Sequence, residues 1–344
     1  MNKKTAGKII ASKMTQWIKS IEGQELQDEV KKNLIVTGGC IASLLLKEEV
    51  NDYDVYFKTK ATAKKVAQYY CDKFNARNQN HKNKLGGSAQ AFVLDGLGVE
   101  AWRNGAKDID SIAPGYRNQG DAVSRMVAGC TPDRIKIIVR SDGVAAEDGI
   151  ECITDVPFED VNEAIEAADK LPATELEKAA TPETPTDRFR PVFLSTNAIT
   201  LSEKVQIVIR FYGEPEAIHE NYDFAHCTNY WTFSEGLVLK PKALEALIAK
   251  ELVYCGSKYP LCSVIRTRKF IKRGFHINAG QYLKMAFQIS KLDLTNIDVL
   301  EDQLVGVDSA YFMILIDGLR SQAEKDPNFK VEESYVSTII DKIF

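Results

Sequence analysis

Apolar and polar residues follow one another along this chain in two rhythms, and each predicts its own kind of element. Residues 5–32 carry apolar positions at helical spacing, interrupted at Gly23, and predict an amphipathic helical start. "NLIVTGG" then reads as a short apolar strand closed by a glycine turn. "CIASLLLKEE" has room for about two to three helical turns. "YDVYF" is a β-prone run in which aromatic, acidic and aliphatic residues alternate. "TAKKVAQYYCDKF" returns to helical spacing. "SAQAFVLDGLGVEAW" and "RIKIIVRSDGVAAEDGIECITDV" predict strands joined by glycine turns, and "GYRNQGDAVSRMVAGC" between them has no clear period. "PVFLSTNAITL", "KVQIVIRFYG", "YDFAHCTNYWTF" and "GLVLK" are further strand candidates. After Pro241 the rhythm is helical throughout: "KALEALIAKEL", "YPLCSVIRTRKFIKRGF", "NAGQYLKMAFQISKL", "VLEDQL" and "SAYFMILIDGLRSQAEK".

This order predicts an α+β fold: a mixed β-sheet head with an insertion, followed by a helical C-terminal domain. The expected boundaries are 1–58 for the N-terminal helices and the first part of the head, and 59–156 for an α/β insertion or continuation of the head. An acidic flexible linker is expected at 157–191, the second part of the head at 192–239, and the helical domain at 240–344. The linker is assigned from its Ala, Glu, Thr and Pro content and the "TPETPT" it contains.

Composition narrows the class. A chain of 344 residues, 44% hydrophobic and 27% charged, has the balance of a soluble protein with a sizeable core. The basic N-terminus lacks the long apolar stretch of a signal peptide, and no apolar run is long enough to span a bilayer. Seven scattered cysteines with no CxxC pair fit a reducing compartment better than a zinc knuckle or a disulfide framework. The expected location is therefore the cytoplasm, with no membrane partner. The net charge of −4 hides an uneven distribution. Acids dominate from Arg140 to Asp187, whereas nine lysines and arginines fall between Lys240 and Arg273 against only Glu245 and Glu251. On charge alone, that basic stretch is a solvated helix face.

The chemistry concentrates in "TGGCIASLLLKEEVNDYDVYF", residues 37–57. Strand residues i and i+2 share a face, roughly 6–7 Å apart, so Asp52 and Asp54 project together. Like charges side by side repel, and a cation between them relieves the repulsion. Gly38 and Gly39 allow a tight turn and close approach of backbone to a ligand. The helix starting near Cys40 offers N–H groups to a phosphate, and Ser43 adds a hydroxyl close by. Alone, a glycine pair is usually a turn and a DxD a solvated strand end. In strand–turn–helix–strand order they are much stronger evidence for a phosphate-and-metal site, of the kind nucleotidyl transfer needs, where two divalent ions about 3.5–4 Å apart neutralise attacking and leaving oxygens. Hard oxygen ligands suit Mg²⁺ or Mn²⁺.

These residues resemble the signature of the DNA polymerase β-like nucleotidyltransferase superfamily: a glycine pair, a short spacer and an aspartate pair separated by one residue. The resemblance implies a nucleotidyltransferase-type mixed-sheet head, an NTP substrate and metal-binding carboxylates at Asp52 and Asp54. It also implies a third carboxylate from a neighbouring strand later in the chain. Among Asp95, Glu100, Asp108, Asp110, Asp142 and Asp223, the context "VQIVIRFYGEPEAIHENYDFAHC" favours Asp223, with Asp95 in reserve. Catalytic and metal-binding roles are thus expected for Asp52, Asp54 and Asp223, and nucleotide binding for Gly38, Gly39 and Ser43. "YPLCSVIRTRKFIKRGFHI" is similar to the neck helix of CCA-adding enzymes and poly(A) polymerases, which carries Arg266 and Lys269 over as nucleotide or RNA contacts. With this head upstream, nucleic-acid contact through 240–273 moves ahead of the solvated face. Ala42 and Ser43 stand where those enzymes carry arginine and aspartate, no "EDxxR" occurs, and 59–190 has no counterpart. The chain as a whole resembles nucleotidyltransferase-fold proteins encoded by tailed bacteriophages.

The expected activity is metal-dependent transfer of an NMP from an NTP to a hydroxyl, with an RNA 3′ end such as that of tRNA as acceptor. The alternatives are nucleotidylation of a protein or small molecule, and a nucleic-acid- or partner-binding protein on a decayed nucleotidyltransferase scaffold.

Overall fold

The computed structural model describes residues 2–78, 89–114, 120–127, 129–141, 188–296, 299–300 and 303. The fold is α+β, with a mixed seven-stranded sheet and a helical C-terminal region. The described chain divides into two units. The first takes residues up to 141, then 188–218 and 229–238; the second takes 219–228 and the residues from 239 onward.

In the first unit, helix α1 (Lys3–Lys19) is capped by Asn2, whose side chain accepts from the Thr5 N–H at 2.8 Å. It buries Ala6, Ile10, Met14, Trp17 and Ile18 at helical spacing. The Trp17 indole donates to the Tyr70 hydroxyl at 2.7 Å, which fastens α1 to α4 (Lys60–Asn78). Gly23, with φ +92°, separates α1 from α2 (Gln24–Asn33), as the pattern predicts.

The sheet is built from β1 (Leu34–Thr37), β2 (Tyr53–Phe57), β5 (Pro191–Leu194), β6 (Ala198–Leu201), β7 (Val205–Tyr212), β8 (Tyr230–Thr232) and β9 (Gly236–Val238). Their spatial order is β5-β6-β7-β2-β1-β8-β9. All four residues of β1 are buried, as expected of a central strand covered on both faces. β1 runs antiparallel to β2 and to β8, whereas β2 and β7 are parallel. A parallel pair needs a crossover, and the chain between β2 and β7 supplies it.

That chain contains α4 and a separate two-stranded sheet, β3 (Ala89–Asp95) and β4 (Ile135–Ser141). Helices α5 (Gly96–Arg103), α6 (Ile109–Ile112) and α7 (Gly120–Val127) accompany it. Leu94, Val99, Ile112, Val123, Met126 and Ile138 form its core. "GLGVEAW" is thus helix rather than turn and strand. The Asp95 carboxylate accepts from the Leu97 N–H at 3.2 Å and caps α5. A Cβ on Gly96 would lie 1.8 Å from the Thr131 carbonyl oxygen, so glycine is the one residue that fits this helix start.

The second unit contains α9 (Pro241–Ala249), α10 (Pro260–Lys272) and α11 (Ala279–Ile289). Helix α8 (Pro215–His219) ends at the boundary between the units. The strand expected around Asp223 does not form. Asp223 lies in a bend, Phe224 makes a single bridge with Tyr254, and Ala225–Cys227 is a 3-10 turn. Residues 142–187, which hold most of the acidic linker, and most of the two last predicted helices lie outside the described residues. Among the described residues, no helix is long and apolar enough to cross a membrane.

Candidate active site at the glycine turn and the aspartate pair

Strand β1 ends at Thr37 and delivers the chain into Gly38, which adopts φ +92° and ψ −155°. A side chain is disfavoured there, and Gly38 leaves the start of helix α3 (Gly39–Leu46) without a side-chain cap. A Cβ built on Gly39 meets nothing within 4 Å, so the space at the helix start is open. The Thr37 hydroxyl donates to the Asn229 carbonyl at 2.8 Å and ties the approach to the turn to the strand behind it.

Antiparallel pairing places Asp54 of β2 opposite Thr37 of β1. Asp54 therefore stands at the end of the sheet where the glycine turn begins. Asp52 lies two residues earlier, immediately before the strand, and both are half-buried. The Cys40 thiol lies within the electrostatic reach of both carboxylates. Cys40 lies in the first turn of α3, is buried, and its sulfur lies 3.6 Å from the Thr37 carbonyl oxygen. Burial pushes its thiol well up, and the negative charges of Asp54 and then Asp52 push it further. The glycine turn and the aspartate pair thus meet at one place.

The sequence separates these residues by a helix, and the β1–β2 ladder reunites them. On the other side of β2, the Tyr53 N–H donates to the Lys204 carbonyl at 2.7 Å, where the chain enters β7. The Lys204 ammonium donates to Glu49 at 2.7 Å and to the Val50 carbonyl at 3.3 Å, bracing the loop that leads into Asp52. Ser43 lies one turn into α3 and is 5% exposed, deeper than the helix start at which a phosphate would bind.

Asp223 and Arg266 belong to the second unit and meet each other there. The Arg266 guanidinium donates to the Asp223 carboxylate at 2.9 Å. Lys269 follows Arg266 by three residues on α10 and is exposed, as are Arg268 and Lys272. Other basic residues of 240–273 are used internally. The Lys250 ammonium donates to the Arg273 carbonyl at 3.2 Å, and Lys240 lies 3.1 Å from the His219 ring. Asp95, the reserve third acid, pairs with Lys60 at 2.8 Å and Lys64 at 2.6 Å besides capping α5. Burial alone would raise its carboxyl, but the two lysines and the Leu97 N–H outweigh burial and lower it.

Among the described residues, no group of three or more His, Cys, Asp and Glu side chains is arranged to hold a metal ion. The aspartate pair supplies hard oxygen donors of the kind that Mg²⁺ and Mn²⁺ prefer. Two half-buried carboxylates at one end of the sheet therefore fit such an ion in donor type and charge.

No curated protein and no solved structure matches the chain. A family model does match it, over residues 8–250, a span that holds the whole seven-stranded sheet, the glycine turn, the aspartate pair and Asp223 and stops short of α10. That model describes Gabija anti-defense 2 (Gad2) family proteins, and this chain belongs to the Gad2 family.

Proposed function

We propose that this Gad2 protein is a divalent-cation-dependent nucleotidyltransferase that acts against the defence its family name specifies. The observation that carries the reading is the register that sets Asp54 opposite Thr37, next to Gly38, with Asp52 two residues before it at the same end of the sheet. The N–H groups at the start of α3, opened by Gly38 and Gly39, bind the triphosphate of an NTP. Asp52 and Asp54 would hold the cation, which would supply neutralisation of phosphate charge during transfer. The acceptor hydroxyl attacks the α-phosphorus and gives its proton to one of these carboxylates, while the α–β phosphoanhydride bond breaks and pyrophosphate leaves. Cys40 remains a protonated thiol and takes no part as nucleophile, because a thiolate beside two carboxylates is electrostatically opposed.

Membership of a phage anti-defense family supports an acceptor on the side of the host, met in the host cytoplasm. A hydroxyl on a component of the defence fits that role. An RNA 3′ end is the other acceptor in the same class of reaction. The second reading is a protein that binds its target through this scaffold without chemistry. It draws on the finding that, among the described residues, no third metal-holding side chain of the His, Cys, Asp and Glu set joins the aspartate pair.

Incubation with Mg²⁺, each α-labelled NTP, and lysate from cells with and without the defence system distinguishes these readings. Label should appear on one macromolecule, and Asp52→Asn or Asp54→Asn should lower its transfer by about a hundredfold or more. Transfer that survives both substitutions overturns the site assignment. Label on RNA rather than protein changes the acceptor alone, and no label with any NTP favours the binding reading.

A further inference from the structure

The strand beside β2 carries a residue that the chemistry of acids does not bring to notice. β7 lies parallel to β2, and Gln206 is registered directly against Asp54, as Val205 is against Tyr53 and Ile207 against Val55. Neighbouring strands lie about 4.8 Å apart and ladder partners project to the same face. Exposure follows the same alternation: Val205 and Ile207 are buried with Tyr53 and Val55, whereas Gln206 and Asp54 are both half-buried. Thr200 of β6 is registered against Gln206 in turn and is half-buried as well. A polar row therefore crosses the sheet from Thr200 through Gln206 and Asp54 to Thr37, at the end where the glycine turn stands.

We infer that Gln206 is a residue of the active site and supplies an amide oxygen, alongside the carboxylates of Asp54 and Asp52, to a single divalent cation held by the protein. This rests on the metal-site reading proposed above. Amide carbonyls are accepted ligands of hard cations. Charge fixes the number of ions: two carboxylates and a neutral amide carry two negative charges, which one dication cancels. A carboxylate on β7 would add a third negative charge and favour a tighter or second cation. The amide also offers N–H groups, so the residue can orient an oxygen of the bound phosphate while its own oxygen faces the ion. Among the described residues, the Gln206 side chain has no hydrogen bond that would commit it elsewhere.

The test is Mn²⁺ binding to the full-length protein, read by titration calorimetry and by the electron paramagnetic resonance of free Mn²⁺, without nucleotide. Wild type should bind one Mn²⁺ per chain through the aspartate pair, and Asp54→Asn should abolish it. Gln206→Glu should tighten binding about tenfold or more, or add a second ion. Gln206→Leu should weaken it about three- to tenfold. Thermal melts of each variant separate these effects from unfolding; if Gln206→Glu does not fold, Gln206→Leu and Gln206→Asn provide the readout. If wild type binds one Mn²⁺ that Asp54→Asn removes, but the Gln206 variants bind it unchanged, this inference falls and the metal site stands. If wild type binds no Mn²⁺, or Asp54→Asn binds as wild type does, the metal-site reading falls and the role of Gln206 with it.

Discussion

Gly38 and Gly39 are neighbours of identical chemistry, yet the backbone asks different things of them. Gly38 sits at φ +92°, where an alanine is strained, while Gly39 has open space beside its Cα. Gly38→Ala should destabilise the protein by about 1–3 kcal/mol in urea denaturation and displace the helix start. Gly39→Ala should leave the urea midpoint unchanged, so any loss of NTP affinity it causes reports phosphate binding alone. His226 offers a second residue-scale prediction. Its ring is 1% exposed, and both nitrogens are buried without a hydrogen-bond partner among the described residues. It packs 4.5 Å from the Phe270 ring and 4.7 Å from that of Phe275. Burial pulls its pKa down to about 4 against the opposing charge of Asp223, and Arg273 adds to the fall. The unfolded chain protonates this residue near pH 6.5 and the native chain resists until about pH 4. Stability is therefore present above pH 6.5 and is lost as pH falls from 6.5 to 4, by an amount on the order of 3 kcal/mol. His226→Phe should flatten urea stability across that window. At pH 7 it should be neutral or stabilising by about 1 kcal/mol, since it removes buried polar atoms that lack partners. A variant that keeps the wild-type pH slope would show that another group titrates there.

At the scale of elements, local pattern was informative wherever an element makes its own case. The alternation of "KVQIVIRFY" and the helical spacing around Gly23 both appear as read. Pattern failed where a long-range contact chose the conformation. "LDG" carries a turn signal, but Gly96 meets the Thr131 carbonyl, its N–H donates to the Arg134 carbonyl at 2.8 Å, and Asp95 caps a helix. Gly96→Ala should accordingly cost about 3 kcal/mol or more in urea denaturation, because the atom in the way is backbone and cannot turn aside. An unchanged midpoint would mean that the β3–β4 layer repacks freely. "YDF" has strand composition but only a one-residue partner at Tyr254, too little for a ladder. The basic stretch divides in the same way: Lys240 and Lys250 are used within the unit, whereas Arg268, Lys269 and Lys272 face solvent on α10.

For the whole molecule, family membership and the proposed chemistry make one joint prediction. In cells carrying the defence system, a phage that expresses the wild-type protein should plate normally, and one expressing Asp54→Asn should lose that protection at equal protein level. Protection retained by Asp54→Asn would favour binding without catalysis. The glycine pair, the aspartate pair and the strand–turn–helix–strand order were legible in the sequence, because each depends on residue type and on a spacing of a few residues. The α+β class followed from the two hydrophobic rhythms. The sheet order was not legible: the β2–β7 pair joins residues about 150 positions apart across a crossover. For that reason nothing in the pattern of acids marks Gln206, the register partner of Asp54, and nothing around Cys40 in the sequence marks its place near both aspartates. Composition and spacing determine the candidate chemistry of this chain. Which residues stand beside that chemistry is decided by strand register, since hydrogen bonding between distant strands, and not proximity in sequence, sets what faces Asp54.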